Sequence, residues 1–241
     1  MENVTVKLNE PSLYAEPNSK LYKFKRKLTY KTILKITRNA IGRKKVFSLL
    51  EIGTGSGFFI SQIEKEYPEA NLVGIEYDPR LVSLTKSKVK KAKIIQGNAE
   101  DIQLNSEKFD IIVSLQVIEH LYKPELMIKS VKDHLTNDGI FIFTTPNLKC
   151  LSEKVMKEKW HGYREDHVSL KSVNEWQDFT EKEGFECVYA GSTFFTGIPI
   201  LNKLPLGLLN WGLLLTVGSL RWSYGESFIG IFKLSNPKNE K

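Results

Sequence analysis

Between residues 46 and 145 the spacing of apolar positions switches repeatedly between two patterns. Short apolar runs at 46–52, 71–76 and 109–115, rich in Val, Ile, Leu and Phe, carry the mark of strands buried on both faces. Ile94 and Ile95 sit in a shorter run of the same kind, and "GIFIFTT", 139–145, is entered from the turn "TNDG". Helical spacing fills the intervals: 57–66, then 79–88 opened by the helix-favouring Pro79, then 124–135 with Met127, Ile128, Val131 and Leu135 on one side. Ser172 and Glu175 form a capping box ahead of Val173, Trp176, Phe179 and Thr180, and Gly184 ends that helix. Strands alternating with helices predict an α/β fold, a mostly parallel sheet with helices on both faces. "ESFIGIFKL", 226–234, reads as the last strand, antiparallel to one over 185–190.

Outside this alternation the pattern changes. Residues 1–18 hold two prolines and no period, which predicts an irregular arm. From 19 to 41, Leu21, Phe24 and Leu28, then Tyr30, Ile33, Leu34 and Ile41, recur at the spacing of a long amphipathic helix. The expected organisation is therefore an arm and basic helix over 1–45 and one α/β domain over 46–241. Within it, an apolar insertion spans about 192–225. Lys203 is the only charge between Ser192 and Leu220, a length bordering on a membrane span. Pro199, Pro205, Gly207, Gly212 and Gly218 interrupt it, and one crossing would strand 226–234 on the wrong side of a bilayer. A helical lid or substrate wall is the expectation.

Composition narrows the class. With 41% hydrophobic and 26% charged residues in 241, the chain can bury the core of one globular domain. The net charge of +7 is local: residues 19–45 hold eleven Lys or Arg and no acid, which leaves −4 for the rest. "KSKVKKAK", 86–93, adds five lysines. Neither cluster carries a nucleic-acid-binding motif, so both read as solvated helix faces and nucleic acid is not the expected partner. Cys150 and Cys187 have no metal-ligand spacing and read as small buried residues. The N-terminal residues show no secretory pattern, so a cytoplasmic location is expected.

The chemistry begins at "LLEIGTGSGFFI", 49–60. Gly53, Gly55 and Gly57 occupy the first strand-to-helix turn, where bare backbone can approach a ligand. A dinucleotide fingerprint needs glycine where Phe58 stands, and the G-K-[ST] of a P-loop is absent. What remains is E-x-G-x-G-x-G, with Glu51 a poor neighbour for pyrophosphate and a good one for an ammonium group. Glu76, at the tip of the next strand in "LVGIEYD", is placed to accept from both hydroxyls of a ribose.

In these motifs the chain resembles the class I S-adenosylmethionine-dependent methyltransferases, in particular the small-molecule enzymes of ubiquinone and menaquinone synthesis. "LLEIGTGSGFF" is similar to their first motif, "VGIEYDP" to the second-strand acid, "GNAEDIQL" to the loop after the third strand, and the stretch from "FDIIVSLQVIEHL" to "FIFTTPN" to their fourth and fifth strands. The resemblance covers roughly 45–190. It implies a Rossmann-like seven-stranded sheet with an antiparallel last strand, and S-adenosyl-L-methionine as cofactor. Glu51, Gly53 and Gly55 would line its methionine end, with Gly57 also binding the cofactor from the same turn, Glu76 the ribose, and Asn98 and Ala99 the adenine. The family more often has Asp where Asn98 stands; an amide oxygen can still accept from the adenine amino group. Residues 114–116, ending in Gln116, would face the sulfonium.

Methyl transfer needs an aligned acceptor and a base for its proton. His120, just after the fourth strand, and His167, in "WHGYREDHVSL", are the candidate bases, with His161 a weaker one and His134 expected on the surface. Trp160 and Tyr163 are candidate walls of an acceptor pocket. In the ubiquinone-type enzymes acids and a histidine at the positions of Gln116, Glu119 and His120 hold a divalent ion; here Gln116 is neutral, so no metal is expected and Glu119 is left as a catalytic candidate. The expected reaction is O-methylation of an aromatic or lipid-like small molecule, met in part at a membrane surface by the basic helix and apolar lid. The rivals are C- or N-methylation, a non-catalytic cofactor-binding subunit, and a nicotinamide dehydrogenase, which fails on Phe58.

Overall fold

In a computed structural model the chain is described over residues 20–194, 196–203 and 205–235, with backbone alone for 20–29. The arm over 1–18 and the side chains of Leu21, Phe24 and Leu28 lie outside the described residues. Helix α1 (Lys20–Ile41) leads to β1 (Ser48–Ile52), α2 (Phe58–Glu66), β2 (Asn71–Glu76), α3 (Pro79–Lys86), β3 (Lys93–Gln96) and β4 (Phe109–Leu115). After a 3-10 turn, Ile118–His120, come α4 (Pro124–His134), β5 (Leu135–Pro146), α5 (Leu151–Met156), α6 (Val173–Lys182) and β6 (Phe185–Thr193). The chain ends with α7 (Leu206–Thr216), β7 (Ser219–Leu220) and β8 (Ser227–Leu234).

One sheet runs in the order β3-β2-β1-β4-β5-β8-β6-β7. Strands β1 to β5 are parallel, because each is joined to the next by a crossover, helical except between β3 and β4. The order reverses between β1 and β4, the place where open α/β sheets hold their ligands, beyond the carboxyl ends of the strands. β8 enters antiparallel between β5 and β6, Ile142 facing Ile231 and Ala190 facing Gly230. The sheet has eight strands rather than the expected seven, since β7, a two-residue strand inside the apolar insertion, pairs with Ser192 and Thr193.

Helices cover both faces. On one, Phe141, Phe143, Phe228, Phe232 and Trp176 pack into a buried aromatic cluster, each ring contributing ~1.5–3 kcal/mol through removal from water. On the other, Ile33, Leu34 and Ile41 of α1 meet Phe59, Ile60 and Ile63 of α2. These α1 positions are the ones the helical period singles out. The capping box of Ser172 and Glu175 is formed.

Three local expectations change. Val46 is exposed, so β1 begins at Ser48. "TNDG" is not a free turn but a bulge within β5: Phe109 pairs with Leu135 and Ile111 with Ile140, and a Cβ on Gly139 would lie 2.7 Å from Leu135 Cγ. His134 is buried, its Nδ1 2.8 Å from the Ser130 carbonyl, because α4 turns directly into β5 there. Among the described residues no helix is long and apolar enough to cross a membrane.

Candidate active site

The turn after β1 is built for glycine. Gly53 has φ +76°, and a Cβ there would lie 2.3 Å from Val117 Cγ2; Gly57 has φ +72°, with Thr85 at 2.8 Å. Val117 immediately precedes the Ile118–His120 turn, so the glycine loop and the loop after β4 touch across the sheet's reversal point. Glu76 is nearly buried. It accepts from Gly55 N at 2.7 Å and from Asp78 N at 3.0 Å, and so ties the glycine loop to the end of β2. Each carboxylate oxygen keeps a further lone pair for a ligand hydroxyl. Glu51, also buried, accepts from Ile60 N at 3.1 Å, where the partial positive charge of the α2 N-terminus favours a carboxylate.

Beside Glu76, Tyr77, Gln96, Gly97 and Asn98 line an open cavity of ≈ 280 Å³. Tyr77 was not singled out from sequence, although an exposed aromatic directly after a strand-end acid is a readable sign of a flat ligand. Asn98 Oδ1 is turned onto Glu100 N at 2.9 Å, which fixes the loop, and Ala99 packs against the core. Bare backbone at the turn, an acid at the strand tip and a cavity beside an exposed tyrosine fit a nucleoside bearing an amino acid.

At the end of β4, Ser114 is buried with its hydroxyl 3.8 Å from Met127 S, so it points into the core rather than to the rim. Gln116 does reach the rim, in a left-handed conformation at φ +57°, its amide donating to Thr144 Oγ1 at 3.3 Å. Such backbone strain, ~1–3 kcal/mol, tends to collect at functional sites.

Glu119, His120 and His167 come together here. The imidazoles of His120 and His167 lie edge to face. Each Nδ1 meets a backbone carbonyl, of Asp166 at 2.9 Å and of Gly162 at 2.8 Å, so each carries its proton on Nδ1 and presents Nε2 as the acceptor. Burial pushes both imidazoles below their ordinary value, and for His167 the neighbouring His120 adds to it. Asp166 is held below the usual carboxylate range: burial opposes this, but the hydrogen bonds and charge of Arg164 outweigh it. Burial pushes the fully buried Glu119 carboxyl up to about 8. Neither of its oxygens has a hydrogen-bond partner at good geometry, nor does the Thr145 hydroxyl beside it. Ser169 N donates to the Glu119 carbonyl at 3.0 Å, which holds the 164–169 segment against the β4 loop. One ligand atom each from Glu119, His120 and His167 lies within 4.8 Å of the others, a spacing a divalent ion could bridge.

The remaining candidates are structural. Trp160 is buried and donates Nε1 to Glu226 Oε1 at 2.7 Å, so it packs rather than lines a pocket. Tyr163 bonds Glu153 at 2.9 Å on the surface, and exposed His161 sits 3.2 Å from Glu226. Glu226 was missed from sequence: it also accepts from Gly197 N at 2.6 Å and from the Ser152 hydroxyl, fastening the apolar insertion, α5 and the Trp160 loop to the head of β8. Sequence offers no sign of this, because the three donors are brought together only by the fold.

The strand order, the glycine turn and the strand-tip acid define the class I methyltransferase fold that serves S-adenosylmethionine. A family model described as a methyltransferase domain matches residues 24–190, and the chain belongs to that family. A malonyl-[acyl-carrier protein] O-methyltransferase of Paenibacillus sp. (strain JDR-2) is 26% identical over 167 residues, 64% of this chain and 60% of the relative. The chain thus matches less than two thirds of that relative's length. The plantazolicin methyltransferase BpumL, solved with a desmethyl analogue and S-adenosylhomocysteine, superposes with TM-score 0.62 at 18% identity, over 88% of this chain and 86% of that one. A TehB-like methyltransferase of Corynebacterium glutamicum gives TM-score 0.55 at 16% identity, over 86% and 88%. At these identities the likeness concerns the fold.

Proposed function

We propose that the protein transfers a methyl group from S-adenosyl-L-methionine to the oxygen of a small, hydrophobic acceptor, aromatic or lipid-like. The observation that carries this is the contact of Gly53 with Val117, which sets the glycine turn and the His120–His167 pair on one rim. Gly53, Gly55, Gly57, Glu51 and Gln116 hold the amino-acid end of the cofactor, Glu76 its ribose, and Tyr77, Asn98 and Ala99 its adenine. Bound there, the cofactor supplies a methyl group already activated by the positive sulfur.

The chain then orients the acceptor and takes its proton. As the methyl group left sulfur for the acceptor oxygen, leaving S-adenosylhomocysteine, the hydroxyl proton would pass to Nε2 of His167, whose Nδ1–H is anchored on the Gly162 carbonyl. His120 orients the acceptor from the facing edge, and Glu119, kept neutral by burial, puts no negative charge behind the pair. Turnover with labelled cofactor on a panel of hydroxyaromatic and lipid acceptors tests the reading. Transfer to carbon or nitrogen, or tight S-adenosylhomocysteine binding with no turnover on any acceptor, would replace it by the rival chemistries or by a non-catalytic subunit.

A second reading rests on the grouping of Glu119 with the two imidazoles: a divalent ion held by Glu119, His120 and His167 would orient the acceptor oxygen. Neutral Gln116 adds no charge to such a site, and the metal-free reading is preferred.

A further inference from the structure

Helix α7 presents its apolar side outward. Gly207, Asn210 and Leu214 form its buried seam, while Leu208, Leu209 and Leu215, on the other side, are 62%, 64% and 50% exposed. Scattered exposed leucines need no explanation, but a stripe of them on a charge-free helix does. The helix lies against α1, where a Cβ on Gly218 would come within 3.0 Å of Thr32.

The charges on α1 and those next to α7 along the chain have one sign. α1 carries eight Lys or Arg and no acid, with Lys31 and Lys35 exposed. Lys203 precedes α7 and Arg221 follows β7, and the next acid along the chain, Glu226, is buried. At 11 residues α7 is ~16 Å long, too short to span a bilayer and suited to lie in its surface. A protein groove would be expected to meet a polar rim of mixed charge; the charged residues flanking α7 along the chain, Lys203 and Arg221, and the exposed Lys31 and Lys35 of the helix it packs against are all cationic.

We propose that α7 rests in the interfacial plane of an anionic bilayer, with Leu208, Leu209 and Leu215 among the acyl chains and Lys31, Lys35 and Lys203 at the headgroups. This deepens the reading above, because docking would deliver a lipid-like acceptor to the rim, but vesicle binding itself needs neither cofactor nor turnover.

The test is co-sedimentation of the full chain with phosphatidylcholine vesicles, with and without phosphatidylglycerol. Binding to the anionic vesicles that weakens as salt rises is expected, and the Leu208→Ser/Leu209→Ser variant should lose roughly tenfold or more of it. Lys31→Glu/Lys35→Glu should remove the preference for anionic lipid. Unchanged S-adenosylhomocysteine affinity in these variants, read by calorimetry, shows that the fold persists and keeps this test separate from that of the functional reading. No binding to anionic vesicles, equal binding by the leucine variant, or a dimer in sedimentation that the same substitutions abolish would overturn the proposal, the last by giving the face to a second copy.

Discussion

His120 and His167 meet edge to face, ring centroids 4.9 Å apart, and each turns its Nδ1 onto a backbone carbonyl. Two imidazoles so placed cannot both take a proton without mutual repulsion, and burial already disfavours the first. Both therefore stay neutral below their ordinary value of 6.5, and the rate should hold steady down to that pH and fall only in more acid solution. His167→Asn is expected to lower kcat by ~10²–10⁴ while leaving S-adenosylhomocysteine affinity unchanged. In thermal melts, stability should decline as pH drops through 6.5, since the unfolded chain then binds protons that the folded one refuses.

Glu119 has the opposite sign. Its folded value of about 8 stands above the ordinary 4.5, so between these pH values the folded chain holds a proton that the unfolded chain has lost. Stability is present below 4.5 and decreases as pH rises towards about 8, by up to ~3 kcal/mol at neutrality. Melts of Glu119→Gln against pH should lose this slope. On the metal-free reading a chelator leaves the melting temperature of the parent chain unchanged; a chelator-sensitive melt that Glu119→Gln abolishes would instead support the ion.

At the glycine turn, Gly53→Ala forces a Cβ into Val117 at a strained φ of +76° and is expected to abolish cofactor binding and lower the melting temperature. Glu76→Ala leaves Gly55 N and Asp78 N without their acceptor, a cost of ~1–3 kcal/mol, and should weaken S-adenosylhomocysteine binding at least tenfold. Gly55→Val puts a β-branched residue at φ +53° and should weaken binding and lower the melting temperature as well. Calorimetry reads each, and tight binding retained in all three would contradict the site.

Trp160→Phe removes the indole donor and part of a fully buried ring, leaving Glu226 with one fewer partner in a buried place. A loss of ~1–3 kcal/mol in urea unfolding is expected. Because Gly162 folds tightly under the Trp160 ring, the His167 anchor should loosen too, visible as a changed imidazole tautomer signal by NMR.

The parallel half of the sheet was legible because a strand buried on both faces must be apolar throughout; 71–76 and 109–115 agree with β2 and β4 residue for residue. The glycines were legible for a related reason, since positive φ at Gly53 and Gly57 tolerates little else. The start of β5 was not, because Leu135 continues a helical period yet pairs with Phe109. Glu226 and His134 look polar and exposed in isolation, and only distant segments closing over them make them buried. Asn98 and Ser114 were placed by motif, and their side chains answer to local neighbours, Glu100 and Met127, that a motif does not encode.

β8, made last among the strands, is filed between two made earlier, β5 and β6. A chain still emerging from the ribosome with its first seven strands complete therefore has β5 ending in a raw edge and β6 with nothing beside it but the two residues of β7. The rim proposed for the cofactor belongs to the opposite, earlier half. Ribosome-stalled chains released before Ser227 should thus aggregate through that open seam, and a supplied peptide of the β8 sequence is the natural thing to close it.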